Sequence, residues 1–169
     1  MKRFFIVLAV ISMAGVNMMH AQEMQRGMSL IQAGLGVIPG FGVNASWDYG
    51  LIDKWGPGIF TVGGYVGYGL WAYSKNFNGS GKNLHVNAIV IAPRVTYRYA
   101  INSTFEVYGA VMSGTISGLE KTNADNTSTR LYSAVTAGCR YTFARNFSVF
   151  AEAGYNEISY LNGGLCISF

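Results

Sequence analysis

Charge is scarce in this chain. Lys, Arg, Asp and Glu make up 12% of its 169 residues, about half the share a water-soluble domain usually carries. A chain so thinly charged lacks the material for an ordinary solvated surface. Proline is nearly missing, with three residues, so long stretches are free to pair as strands. Beyond residue 22 no apolar run approaches the ~20 residues that a helical span requires, which excludes a membrane helix from that part of the chain. Two cysteines are too few for a disulfide framework. What is abundant is Gly, with 22 residues, and aromatic side chains at 14%. An apolar, aromatic, Gly-rich chain without helical runs fits a β-barrel whose outside faces lipid, with lipid-facing and lumen-facing positions alternating along each strand.

The amino terminus reads as a secretory leader. Lys2 and Arg3 are a basic start, residues 4–16 are mostly apolar, and Met19-His20-Ala21 offers a small residue before Gln22. This is too short and wrongly flanked for a membrane anchor. No Cys lies near the cleavage point, which argues against a lipoprotein. The expected division is a removed signal peptide, residues 1–21, and a single domain, residues 22–169. Removal takes away Lys2 and Arg3, so much of the positive balance of +4 belongs to the leader. The remaining charge argues neither for nor against an anionic partner.

Eight alternating segments follow, near residues 29–38, 41–49, 59–73, 85–99, 105–118, 130–143, 147–156 and 160–169. Residues 50–58 read as a turn rich in Gly, Asp and Pro. Residues 74–82 and 120–129 are polar loops, and residues 100–104 and 144–146 are tight turns. The predicted fold is all-β: an eight-stranded antiparallel up-and-down transmembrane barrel, with ten strands as the alternative cutting. Short turns belong on the periplasmic side and long loops outside.

Alternation assigns the faces. Ile89, Ile91, Pro93, Val95, Tyr97 and Tyr99 share one side, and Ala88, Ala92, Arg94, Thr96 and Arg98 the other. The same division puts Asp48, Glu106, Arg140 and Glu152 on the polar side. Three acids and three arginines inside a narrow barrel should pair, Arg98 with Glu106 and Arg140 with Glu152 across their tight turns. The inward glycines Gly34, Gly36, Gly63, Gly67, Gly69, Gly138 and Gly154 would leave room for the arginines, or mark bends. Cys139 faces out and Cys166 faces in, so a disulfide between them is not expected. On the apolar face, Trp47, Tyr49, Phe60, Tyr97, Tyr99, Phe105, Tyr141, Phe143, Phe147 and Phe169 gather at one set of strand ends, as an interfacial aromatic girdle does. The β-propensity of aromatics does not by itself predict that concentration.

The chain ends Gly163-Gly164-Leu165-Cys166-Ile167-Ser168-Phe169. The alternating Leu165, Ile167 and Phe169, stopping at an aromatic, resemble the assembly signal of bacterial outer-membrane barrels. With the leader, the alternating strands and the aromatic ends, the chain resembles the small outer-membrane β-barrel family of the OmpX and OmpA-transmembrane-domain type. The resemblance implies residence in the outer membrane of a Gram-negative bacterium, Sec export, contact with outer-membrane lipids, and handling by periplasmic chaperones and the barrel assembly machinery. It carries over no binding site residue by residue.

The expected function is a barrel with a side-chain-filled lumen and a structural or surface-interaction role through its outer loops, which face an unknown extracellular partner. The alternatives are a narrow ion or small-solute pore and a soluble lipocalin-like barrel with its apolar face turned inward around a ligand. An enzyme is not expected. His85 is the only His outside the leader, and no acid is placed to orient it beside Ser80. No metal-ligand cluster, phosphate loop or dinucleotide fingerprint is present. No cofactor, metal or nucleic-acid partner is expected.

Overall fold

Runs of alternating apolar and polar residues can bury only one face, so they must curl or stack to hide it. Here they curl. The structure, a computed structural model, describes residues 24–73, 84–120 and 128–169. The predicted leader, the whole of the first predicted polar loop and most of the second lie outside the described residues. Eight strands close into one antiparallel barrel in chain order: β1 (Ser29–Pro39), β2 (Phe41–Trp55), β3 (Gly58–Tyr73), β4 (Leu84–Ala100), β5 (Phe105–Glu120), β6 (Ser128–Thr142), β7 (Phe147–Tyr155) and β8 (Ser159–Ser168). The eight-strand reading therefore stands and the ten-strand cutting falls.

β8 returns to β1 to close the wall, pairing Ile167 with Ile31 and Leu165 with Ala33. Beyond them the Ser29 N–H donates to the Phe169 carbonyl at 2.8 Å and the Phe169 N–H to the Ser29 carbonyl at 2.9 Å. With β8 paired to β1, the barrel has no open strand at its seam.

One connection differs from expectation. Residues 50–55 are not a turn: they continue β2, which pairs with β3 through two register shifts, between Gly50 and Ile52 and between Ile52 and Trp55. The turn itself is only Gly56-Pro57. Gly56 supplies the positive φ of 77° that a two-residue hairpin needs at its first position, and Pro57 the fixed negative φ of its second. The turn-like composition of the segment came from residues that bulge the strand.

The wall is uneven. β3, β4, β5 and β6 run 16, 17, 16 and 15 residues, whereas β7, β8 and β1 run 9, 10 and 11. At one end, the turn end, the connections are Gly56-Pro57 and the short links between β4 and β5 and between β6 and β7. At the other, the loop end, the two polar loops stand side by side, flanked by the short β1–β2 and β7–β8 links.

Candidate functional site

The inward positions form three layers. The middle layer, toward the turn end, is charged. Asp48 (β2), Arg94 and Arg98 (β4), Glu106 (β5), Arg140 (β6) and Glu152 (β7) are each at most 4% exposed, and they are joined in one network. Arg98 donates to Asp48 and, at 2.8 Å, to Glu106. Arg140 donates to the other Glu106 oxygen at 2.7 Å. Arg94 donates to Glu152 at 2.8 Å and to Ser46 at 3.2 Å. Ser46 in turn donates to Gln32 at 3.0 Å. Three positive and three negative charges in a low-dielectric interior are tolerable because they meet.

The predicted Arg98–Glu106 contact is present, but the predicted Arg140–Glu152 contact is not what forms. Across β6 and β7 the register pairs Gly138 with Glu152 and Arg140 with Phe150, while across β5 and β6 it pairs Glu106 directly with Arg140. A directly opposed pair is closer than a diagonal one, so Glu106 takes Arg140. Glu152 is reached across the lumen by the longer arm of Arg94. Its second partner is the Tyr108 hydroxyl, at 3.2 Å. The Tyr108 ring lies under both guanidinium groups, 4.7 Å from that of Arg98 and 5.8 Å from that of Arg94, within cation–π range. Tyr108, two residues from Glu106 on the same face of β5, is thus the hub of the network.

The inward glycines serve something other than the arginines. A Cβ on Gly138 would meet the Tyr108 ring at 2.5 Å, one on Gly34 the Phe150 ring at 2.7 Å, and one on Gly67 the Ile158 side chain at 2.6 Å. A Cβ on Gly63 would strike the backbone of Trp47 and Asp48. These bare positions receive aromatic and branched side chains or let neighbouring strands approach. They help the arginines only indirectly, by seating Tyr108.

Apolar layers lie on either side of the charges. Toward the loop end, Tyr65, Val90, Met112, Tyr132 and Ile158 cluster with small neighbours. Tyr65 and Tyr132 stack with centroids 6.5 Å apart. The Tyr132 hydroxyl donates to Asn156 at 2.9 Å, and the Asn156 amide donates to the Tyr65 hydroxyl at 3.3 Å. The β7–β8 link therefore dips inward, with Asn156 as strap and Ile158, fully buried, as wedge. Toward the turn end, Leu30, Ile59, Phe150 and Cys166 cluster with Met24 and Met28 from the segment before β1. Both cysteines are free, Cys166 buried in this layer and Cys139 half-buried on the outer side.

Outside, the wall is apolar. Ile91, Val111, Leu131, Val135 and Leu165 are between 57% and 74% exposed. The charged face is inside and the apolar face outside, the reverse of a soluble ligand-binding barrel. At the turn end Trp47, Tyr49, Tyr99, Phe143, Phe147 and Phe169 are exposed, and Phe60, Tyr97, Phe105 and Tyr141 half-buried. Phe60 and Tyr97 pack with centroids 4.8 Å apart. A sparser aromatic set at the loop end, Phe41, Tyr155 and Tyr160, was not singled out from the sequence. Among the described residues no cluster of His, Cys, Asp and Glu could hold a metal ion.

The fold defines the class: a closed up-and-down barrel of the kind that crosses membranes with strands. Solved structures agree. The amino-terminal β-barrel domain of Pseudomonas aeruginosa OprF matches with a TM-score of 0.56 at 16% identity, covering 85% of this chain and 98% of that one. A de novo designed transmembrane β-barrel matches with a TM-score of 0.54 at 15% identity, covering 88% and 100%. Ail, the attachment invasion locus protein of Yersinia pestis, solved with the heparin analogue sucrose octasulfate, matches with a TM-score of 0.50 at 14% identity, covering 86% and 100%. At such identities the likeness is one of fold. No protein-family model and no curated protein matches the chain.

Proposed function

We propose that this chain is an integral outer-membrane barrel of the small OmpX and OmpA-domain type, exported by a removed leader. Its interior is filled by side chains, and its task is surface interaction at the loop end. The observation that carries this reading is the height of the wall. β6 pairs with β7 only up to Val135 opposite Tyr155, yet it continues with β5 as its partner down to Ser128. Tyr155 belongs to the loop-end aromatics, which suit the outer membrane–water interface. The half of β6 before Val135 therefore stands in the aqueous phase beyond it.

The outer face of this projection is fitted for water. Ser113 opposes Ser133, and the Ser117 and Thr129 hydroxyls meet at 3.0 Å. Its edge toward β7 has no strand partner among the described residues, and such an edge offers backbone donors and acceptors to an extended partner segment. Leu131, 74% exposed, provides an apolar contact there. The two polar loops join the same four tall strands. Their charges, Lys75 and Lys82 in one and Glu120, Lys121 and Asp125 in the other, nearly balance. A polypeptide partner therefore fits better than a highly sulfated glycan like the analogue bound to Ail. Among the described residues no nucleophile and base are assembled that would support catalysis.

Single cysteines at Ser80 and Asp125, in a background lacking Cys139 and Cys166, should react with an impermeant reagent on intact cells. One at Asn146 should not, and reaction only there would invert the orientation. In planar bilayers the barrel should conduct little. A large ion-selective conductance that follows the charge of Arg94 or Arg140 would replace the filled interior with a pore.

A further inference from the structure

The segment ahead of β1 behaves as a part in its own right. Residues 24–28 do not run on from the wall; they fold back over the turn-end mouth. The Met28 N–H donates to the Gln25 carbonyl at 3.2 Å, closing a turn, and Gly27 takes a φ of 87° within it. Two reciprocal bonds pin the turn to β2: Gly27 N–H to the Gly50 carbonyl, and Gly50 N–H to the Met28 carbonyl, both 2.9 Å. Met24 and Met28 are 6% and 8% exposed, pressed into the layer of Leu30, Ile59, Phe150 and Cys166. The fit depends on an absence. A Cβ on Gly50 would run into the Gln25 carbonyl oxygen, so the segment can lie there only because Gly50 has no side chain.

Beside it remains a cavity of about 350 Å³, lined by Met24, Gln25, Arg26, the β2–β3 turn, Arg98 and Glu106. Here the charged layer comes within reach of the mouth. The methionines stand between that layer and solvent on one side, and flexible thioethers suit a contact that must fill space without rigid complementarity.

We propose that residues 24–28 form a displaceable stopper over the apolar layer of Leu30, Phe150 and Cys166 at the turn-end mouth, seated on the bare Cα of Gly50. Displacement widens the open cavity into the space under Leu30 and Phe150 and admits water and small solutes to Cys166. Among the described residues, two backbone hydrogen bonds to β2 and two methionines hold it. Local opening should therefore cost far less than unfolding the barrel. The inference rests on the proposed reading only in calling this mouth periplasmic.

Cys166, 1% exposed beneath the stopper, is the reporter. In a Cys139→Ser background, the folded barrel in detergent is treated with a small anionic thiol reagent, and folding is checked by heat-modifiable gel mobility. With the stopper seated, Cys166 should react slowly. Gly50→Ala, which evicts the segment without altering it, and Met24→Ser/Met28→Ser, which loosens it directly, should each speed labelling roughly tenfold or more while the barrel stays folded. Gly64→Ala, whose Cβ would meet nothing within 4 Å, is the neutral control. Equal slow labelling in whichever displaced variants fold, or rapid labelling with the stopper intact, overturns the proposal. Sidedness is read separately from whole-cell labelling, so an inverted barrel would refute the periplasmic assignment and leave the stopper standing.

Discussion

The two ends of the barrel solve the same problem by different means. Both must close a lumen that holds buried polar and charged side chains. The half toward the turn end closes with charge: three arginines and three carboxylates locked around Tyr108, with an apolar layer and a short segment folded beneath. The loop end closes with shape: stacked tyrosines, one asparagine strap and Ile158 wedged over Gly42 and Gly67. Charge closure is strict, because each partner is costly when left alone in a buried site. Shape closure is forgiving, because a lost contact costs only its own packing or one neutral hydrogen bond. The forgiving end is also the one whose wall rises and falls, where change in loops and edges can be absorbed.

This contrast can be broken by substitution. Arg98→Ala leaves Asp48 only the Arg94 guanidinium at 3.8 Å and leaves Glu106 to Arg140 alone, and should destabilise the barrel by about 3–5 kcal/mol, read from urea unfolding in lipid vesicles. Tyr132→Phe at the other end removes one hydroxyl from Asn156, which keeps its bond from the Ile158 N–H, and should cost only about 1 kcal/mol. Equal losses would erase the distinction. Deleting Phe169 or replacing it with Asp should lower the amount of heat-modifiable barrel in the outer membrane. Undiminished levels would separate the closing pair from assembly.

A finer test concerns which charges meet. Double-mutant cycles should give a coupling of about 1–3 kcal/mol between Arg94 and Glu152, and less than about 0.5 kcal/mol between Arg140 and Glu152. The reverse order would restore the pairing expected from adjacency across the β6–β7 turn. A last test lies at the loop end. Ile38 has a φ of 60°, an uncomfortable place for a β-branched side chain. Ile38→Asn should raise stability by about 1 kcal/mol without moving a charge-layer property.

Period-two alternation carried the fold, because it decides face, and face decides closure. Arg94, Arg98, Glu106, Arg140 and Glu152 could be placed inward from parity alone. Their partners could not. Whether Arg140 meets Glu106 or Glu152 depends on register to within a residue and on how far a long side chain reaches across the lumen, and neither is written locally. The composition of residues 50–58 misled because Gly and Asp mark bulges as well as turns. The role of residues 24–28 was invisible for a related reason. Nothing in Met-Gln-Arg-Gly-Met says that a glycine on the neighbouring strand has left a seat for it.

The reciprocal bonds between Ser29 and Phe169 have a consequence for how the barrel is counted out. They form only if every hairpin between them has kept its register, since a slip of one residue anywhere turns the remaining inward set outward. The last residue also stands beside β7's end of the wall, where the Ser168 N–H donates to the Asn146 carbonyl at 2.9 Å. Phe169 is thus the check digit of the sequence: a single position whose fit sums the errors of the seven hairpins before it. A one-residue slip in any hairpin would be read out there, as a latch that no longer meets its catch.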